Sequence, residues 1–273
     1  METFAGHALP GGFFVLFGTW WTFAAWLNYV RSKQNKQRYL CHCTYAVPCL
    51  PEKFSVEGIV KIIGACACIA REYPATFGGD QSVYAESLQH QTMYAFYLLN
   101  GVVDIMYKAG FPFPRNVDYV ALLLASVSEG LLFYLHLHGR ARLDVMVHTL
   151  LVYSMLAMVA CIVAEMCRPR SVLLSLGRAY FCLLHGTWLW QVGFILHNPL
   201  PDYKPWDVDS PMSTMLAASV FAWHLMALLV YVGALGAVAW VVKRTSCGLG
   251  RDFDFADEED DNFSEEFRKR RHT

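Results

Sequence analysis

The chain has 273 residues, 55% of them apolar and only 16% charged, with a net charge of −1. Soluble domains carry about 25% charged residues, so this composition excludes an ordinary soluble domain. No basic excess argues for nucleic acid as a partner.

A membrane span needs about 20 mostly apolar residues, and seven apolar runs meet or approach that length. The first covers about Leu9–Val30 and opens with Gly6-His7-Ala8-Leu9-Pro10-Gly11. It lacks a basic leader, which predicts a retained helix rather than a cleaved signal peptide. The second runs from Val56 to Ile69 and a little beyond. It is the weakest, because Glu57, Lys61 and Arg71 flank a short apolar core. The third covers Gln91–Tyr107. In and before it, His90, Tyr94, Tyr97, Gly101 and Asp104 recur at i, i+4, i+7, i+11 and i+14. That is one stripe of a helix with 3.6 residues per turn, and a polar stripe is expected to face the bundle interior. Asp104, near the end, is expected to meet water or a base.

The fourth run, Val117–Leu137, carries Glu129 and His136 seven residues apart on one face, while His138 points elsewhere. Gly130 would permit close helix approach there. The fifth, Val145–Met166, is entered through Asp144 and contains His148 at i+4. A carboxylate can orient an imidazole by accepting its second N–H. The sixth, Val172–Leu196, contains His185, and the seventh, Met212–Val242, contains Trp223-His224. These readings predict an all-α polytopic membrane protein. Residues 1–247 form a seven-transmembrane helix bundle, and residues 248–273 a disordered acidic cytosolic tail. In that tail Arg268-Lys269-Arg270-Arg271 reads either as solvated charge or as a signal for cytosolic trafficking partners.

Loop Lys and Arg set the expected orientation. Arg31, Lys33, Lys36, Arg38, Lys53, Lys108, Arg115, Arg168, Arg170, Lys243 and Arg244 fall on one side; Arg71, Arg140, Arg142 and Lys204 fall on the other. The positive-inside rule then places the N-terminus outside or lumenal and the C-terminus in the cytosol. None of the nine cysteines lies in a predicted outer loop, so a disulfide framework is not expected. Cys41-His42-Cys43 lacks the usual zinc-ligand spacing, and these loop thiols read as plain or palmitoylated.

With this threading, His7, His90, His136, His138, His148 and His197 collect near the outer ends of the spans. Glu129, His185 and His224 lie deeper in the same half. Ionisable groups in lipid are costly and mark functional sites. Each residue alone reads equally as a hydrogen-bonded core group. Together they form a candidate divalent-metal site, most plausibly for zinc: Glu129, His136, His90, His148 and His224 as ligands, with Asp144, Tyr94 and His185 in support.

The order of these pieces resembles the transmembrane protein 45 family. The resemblance is carried by Gly6-His7-Ala8-Leu9-Pro10-Gly11, Gln89-His90-Gln91-Thr92-Met93-Tyr94 and the segment Glu129–His138. Further pieces are Leu143-Asp144 with His148, Gly186-Thr187-Trp188 with Trp190–Phe194, and Trp223-His224. It spans roughly residues 1–244. It implies a multi-pass protein of the secretory pathway or plasma membrane and no settled activity. Three functions stay open. One is a structural or trafficking-associated membrane protein in the lipid bilayer. Another is a zinc-binding protein, with hydrolysis of a lipid or small molecule as its chemistry. The third is a proton-coupled transporter using the same residues as a relay.

Overall fold

A computed structural model of the chain describes residues 3–47, 50, 51, 53–77, 81–135, 137, 139–202 and 205–247. Among these residues there are seven α-helices and no strand. They are α1 (Phe4–Gln34), α2 (Val56–Glu72), α3 (Gln81–Lys108), α4 (Val117–Leu135), α5 (Arg142–Cys167), α6 (Val172–Leu196) and α7 (Pro211–Cys247). A short 3-10 helix, Tyr73–Phe77, joins α2 to α3. The expected acidic tail from residue 248 onward lies outside the described residues. Side-chain oxygens start two of the helices. Thr3 accepts from the Gly6 N–H and Ser55 from the Gly58 N–H, each at 3.2 Å, satisfying donors that a first helical turn leaves open.

Five helices, α1, α4, α5, α6 and α7, are long and apolar enough to cross a membrane. The count of seven read from the sequence exceeds this because α2 is too short and α3 too polar along its length. α2 has only 17 residues, about 26 Å at 1.5 Å per residue. Its charged groups Glu57 and Lys61 are buried, as is the α3 residue Asp104, while Arg71 near its end is exposed. Large apolar side chains take the outer surface instead, among them Leu131, Leu156, Leu173, Met215, Leu229 and Val230. An apolar belt of this extent is what a bilayer covers, and the protein is an integral, helical membrane protein.

α6 is the central helix and is mostly buried, whereas α7 is largely exposed. α1 packs antiparallel along it, with Gly193 beside His7, Gly186 against Gly11 and Ala179 against Gly18. The small residues let the backbones nearly touch. A Cβ at Gly186 would lie 2.8 Å from both the Gly11 carbonyl oxygen and the Val15 nitrogen. Gly186→Ala is therefore expected to lower the melting temperature, at an overpacking cost of about 1–3 kcal/mol. Gly233→Ala, where nothing lies within 4 Å, is expected to cost nothing. Equal melting temperatures for the two variants would contradict the close α1–α6 contact.

Two apolar clusters fill the bundle. One, including Trp21, Met155, Met158, Ile162 and Leu183, lies toward the end bearing the α1–α2, α3–α4 and α5–α6 connections, called here the basic end. The other, including Leu143, Val147, Trp188 and Val192, lies toward the opposite end.

Candidate functional site

α4 presents Glu129 on its buried face, 4% exposed. The Tyr97 hydroxyl of α3 donates to Oε2 at 2.5 Å, and His185 Nε2 of α6 lies 3.3 Å from Oε1. The other ring nitrogen, Nδ1, lies 2.9 Å from Ser154 Oγ on α5, and Ser154 donates its own hydroxyl hydrogen to the Leu151 carbonyl at 2.7 Å. A serine has one hydrogen to give. With it spent on Leu151, Ser154 Oγ must accept from His185 Nδ1–H. One more proton then has to sit between Nε2 and Oε1. Either a protonated Glu129 donates to neutral His185, or an imidazolium donates to a carboxylate. This assignment follows from the hydrogen-bond network, and it makes Tyr97–Glu129–His185–Ser154 a proton-holding centre built from four helices.

A second polar group lies beyond Phe133, whose ring centre is 6.1 Å from both His185 and His148. Here His148 Nδ1 is 2.7 Å from Asp144 Oδ1, and Arg140 reaches Asp144 Oδ2 at 3.2 Å. The i, i+4 pairing read from the sequence forms. The His7 ring lies 5.7 Å from His148 and 5.5 Å from His197, centre to centre. His7 Nδ1 bonds the Thr3 carbonyl oxygen at 3.1 Å, so it is the donor.

The other candidates go elsewhere. His90 pairs with Glu72 at 3.5 Å. His224 meets the Thr187 hydroxyl at 3.2 Å and stands edge-on to Trp188. Tyr94 lines the same cavity as Glu129. His136 and His138 lie outside the described residues. Glu129, His148, His90 and His224, four of the five proposed ligands, thus each take a different partner. His185, expected only in support, is the histidine that touches Glu129. Among the described residues no three His, Cys, Asp or Glu side chains are arranged to hold a metal ion.

The basic end holds a buried ionic network that reasoning about histidines missed. Arg178 of α6, fully buried, meets Glu165 Oε2 of α5 at 2.6 Å. Its remaining nitrogens donate to the carbonyls of His42 at 2.8 Å and Cys43 at 3.3 Å, and its plane stacks 4.3 Å from the Trp21 ring centre. Lys61 meets Asp104 at 2.6 Å. Glu57 accepts from the Trp20 and Trp21 indoles and from the Tyr45 backbone N–H, at 2.7–2.9 Å. The signal was present in the sequence: Arg178 and Glu165 are charges inside apolar spans. A cavity of about 70 Å³ links the two halves, running from Lys61 to Glu129 and lined by Phe13, Phe17, Met93 and Tyr97 among others.

The 39–45 segment folds inward to make these contacts. Cys43 is 2% and Cys41 7% exposed, which favours plain over palmitoylated thiols at these two positions. Burial pushes the Cys41 thiol up to about 11 and the Tyr39 hydroxyl up to about 12. Both stay protonated at neutral pH, and a protonated thiol is a poor nucleophile and a poor metal ligand.

Fold and site together define a polytopic helical membrane protein with an ionisable, hydrogen-bonded interior. A family model described as a family of unknown function, DUF716, matches residues 116–237, a stretch running from the start of α4 into α7 that includes Glu129, His148, His185 and His224. The chain is 29% identical over 190 residues to transmembrane epididymal protein 1 of Homo sapiens, covering 64% of this chain and 67% of that protein. It is 25% identical over 248 residues to the Rattus norvegicus protein of that name, covering 83% and 77%. Transmembrane epididymal protein 1A of Mus musculus is 24% identical over 242 residues with the same coverage. The resemblance carried by the sequence motifs therefore holds.

Proposed function

We propose that this protein moves protons across its membrane, with Glu129 and His185 holding the mobile proton at the centre of the bundle. The observation that carries this reading is the single proton that must lie between His185 Nε2 and Glu129 Oε1, given that Ser154 donates to Leu151. Buried carboxylate–imidazole pairs at membrane depth are parts of proton relays. Metal chemistry is less favoured, because both Glu129 oxygens already have partners. The test is pH-gradient collapse in proteoliposomes carrying an internal pH dye. Wild type is expected to exceed protein-free vesicles, and Glu129→Gln to fall back to them. Identical traces for wild type and empty vesicles would sink the proposal.

The reading includes α2 and α3 as spans, their charges paired inside. It places the N-terminus outside or lumenal and the C-terminus in the cytosol, in the plasma membrane or secretory pathway, on the Lys/Arg asymmetry. Cys167 is exposed at the basic end of α5. An impermeant maleimide is expected to label it only after cells are permeabilised. Cys41 should react on the order of a hundredfold more slowly than a free thiol at neutral pH, since burial lowers its thiolate fraction by about that factor, and accelerate as pH rises toward 11. By linkage, the stability tied to this neutral thiol is present below the ordinary thiol pKa and is lost as pH climbs through the folded value. Labelling of Cys167 in intact cells would reverse the orientation.

A further inference from the structure

Asn100 and Asp104 stand four residues apart on α3, so their side chains share one face. Both are buried, at 0% and 1% exposure. Neither the Asn100 oxygen nor its nitrogen has a hydrogen-bond partner, and Asp104 Oδ1 has none either. Asp104 Oδ2 is held by Lys61 at 2.6 Å. Asp118, 6% exposed on the first turn of α4, keeps one oxygen on the Tyr119 N–H at 2.9 Å and repels Asp104 electrostatically. Native interiors satisfy buried polar groups, so an unbonded amide one helical turn from a half-used carboxylate requires an explanation.

Charge points the same way. Four buried carboxylates at this end, Glu57, Asp104, Asp118 and Glu165, face only two buried bases, Lys61 and Arg178. Half-buried Lys108 also acts on Asp104 from the rim. Glu57 is met by three N–H donors and Glu165 by Arg178. The excess negative charge is therefore left on Asp104 and Asp118, with Lys61 between a full and a partial claim on it. Carbonyl and carboxylate oxygens suit hard cations. Four carboxylates against Lys61, Arg178 and the rim Lys108 leave one negative charge at this end, which matches a monovalent ion.

We propose that Asn100 Oδ1, Asp104 Oδ1 and Asp118 form a binding site for an alkali-metal cation at the basic end of the bundle. The cation takes the Asp104 oxygen that Lys61 leaves open, so the α2–α3 ion pair through Oδ2 stays in place. The site shares no residue with the Glu129–His185 centre and stands independently of it.

The probe is sodium. Full-chain protein in detergent micelles is melted in sodium chloride and in choline chloride at equal ionic strength, and sodium-23 line broadening is followed in parallel. Wild type should melt higher in sodium, with saturation. Asn100→Leu exchanges an unbonded amide for an apolar side chain of similar size, so it is expected to fold. It should need at least about tenfold more sodium for the same shift, the scale of one lost charge-assisted contact. Asp118→Asn, which can keep the Tyr119 bond, should behave alike. Identical wild-type melting in sodium and choline overturns the proposal, as does a full wild-type sodium response in both variants.

Discussion

Arg178→Met is expected to destabilise the protein by about 3–5 kcal/mol, the cost of removing one partner of a buried ion pair. The guanidinium is fully buried and ties three parts of the chain together. It joins Glu165 on α5, the carbonyls of His42 and Cys43 in the α1–α2 connection, and the Trp21 ring on α1. Methionine fills much of the same volume but leaves the Glu165 carboxylate uncompensated. The expected readout is a melting temperature lower by more than about 6 °C, given roughly 2–4 °C per kcal/mol for a chain of this size. Adding Glu165→Leu should restore most of the loss, because an ion pair replaced by apolar groups is often close to neutral. A residual deficit should remain, since two buried carbonyls still lack donors. A single variant as stable as wild type would mean that the pair does not hold this end closed. The 39–45 segment should also become more accessible, so Cys41 alkylation is a second reading of the same event.

The second large effect separates stability from function at Glu129. Glu129→Gln is expected to fold within about 1 kcal/mol of wild type, since one well-placed hydrogen bond is worth that much. Its carbonyl can accept from Tyr97, and its amide can donate to His185 Nε2 as a protonated carboxyl would. It cannot release that proton. Flux in vesicles should therefore fall at least a hundredfold, the lower range for loss of an acid–base group. Glu129→Leu removes both bonds and strands the Tyr97 hydroxyl and His185 Nε2, each at about 1–3 kcal/mol. That variant should lose stability and flux together. Glu129→Gln vesicles that collapse a pH gradient as fast as wild type would eliminate Glu129 as the proton carrier while leaving its structural role intact.

Much of the architecture was legible in the linear order of residues. Each of the seven apolar runs became a helix, six of them within about five residues of the expected bounds, while α3 begins at Gln81 rather than Gln91, because hydropathy and the 3.6-residue period are local properties. The same holds for contacts within one helix. The stripe through Gly101 and Asp104 turned inward, and Asp144 met His148 one turn away. The family resemblance worked by the same local means, through short ordered motifs.

Partnerships between helices were not legible, because they depend on how each helix is rotated and which one it faces. Glu129 lies 56 residues from His185, and Lys61 lies 43 residues from Asp104. Arg178 reaches carbonyls 135 and 136 residues away. Helical phase says which residues share a face, but it does not say what stands opposite that face. This is why Glu129 was grouped with His148, His90 and His224, which each take other partners, while His185 was assigned a supporting place. It is also why charges in α2 looked like flaws in a span. Lys61 and Glu57 weaken hydropathy along the chain, yet packing against α3 and α1 gives them Asp104 and two indoles in the interior. Local pattern thus decided that this chain is a bundle of membrane helices. Only the packing of those helices decided which buried charges meet, since a buried charge is stable where its partner happens to be in space.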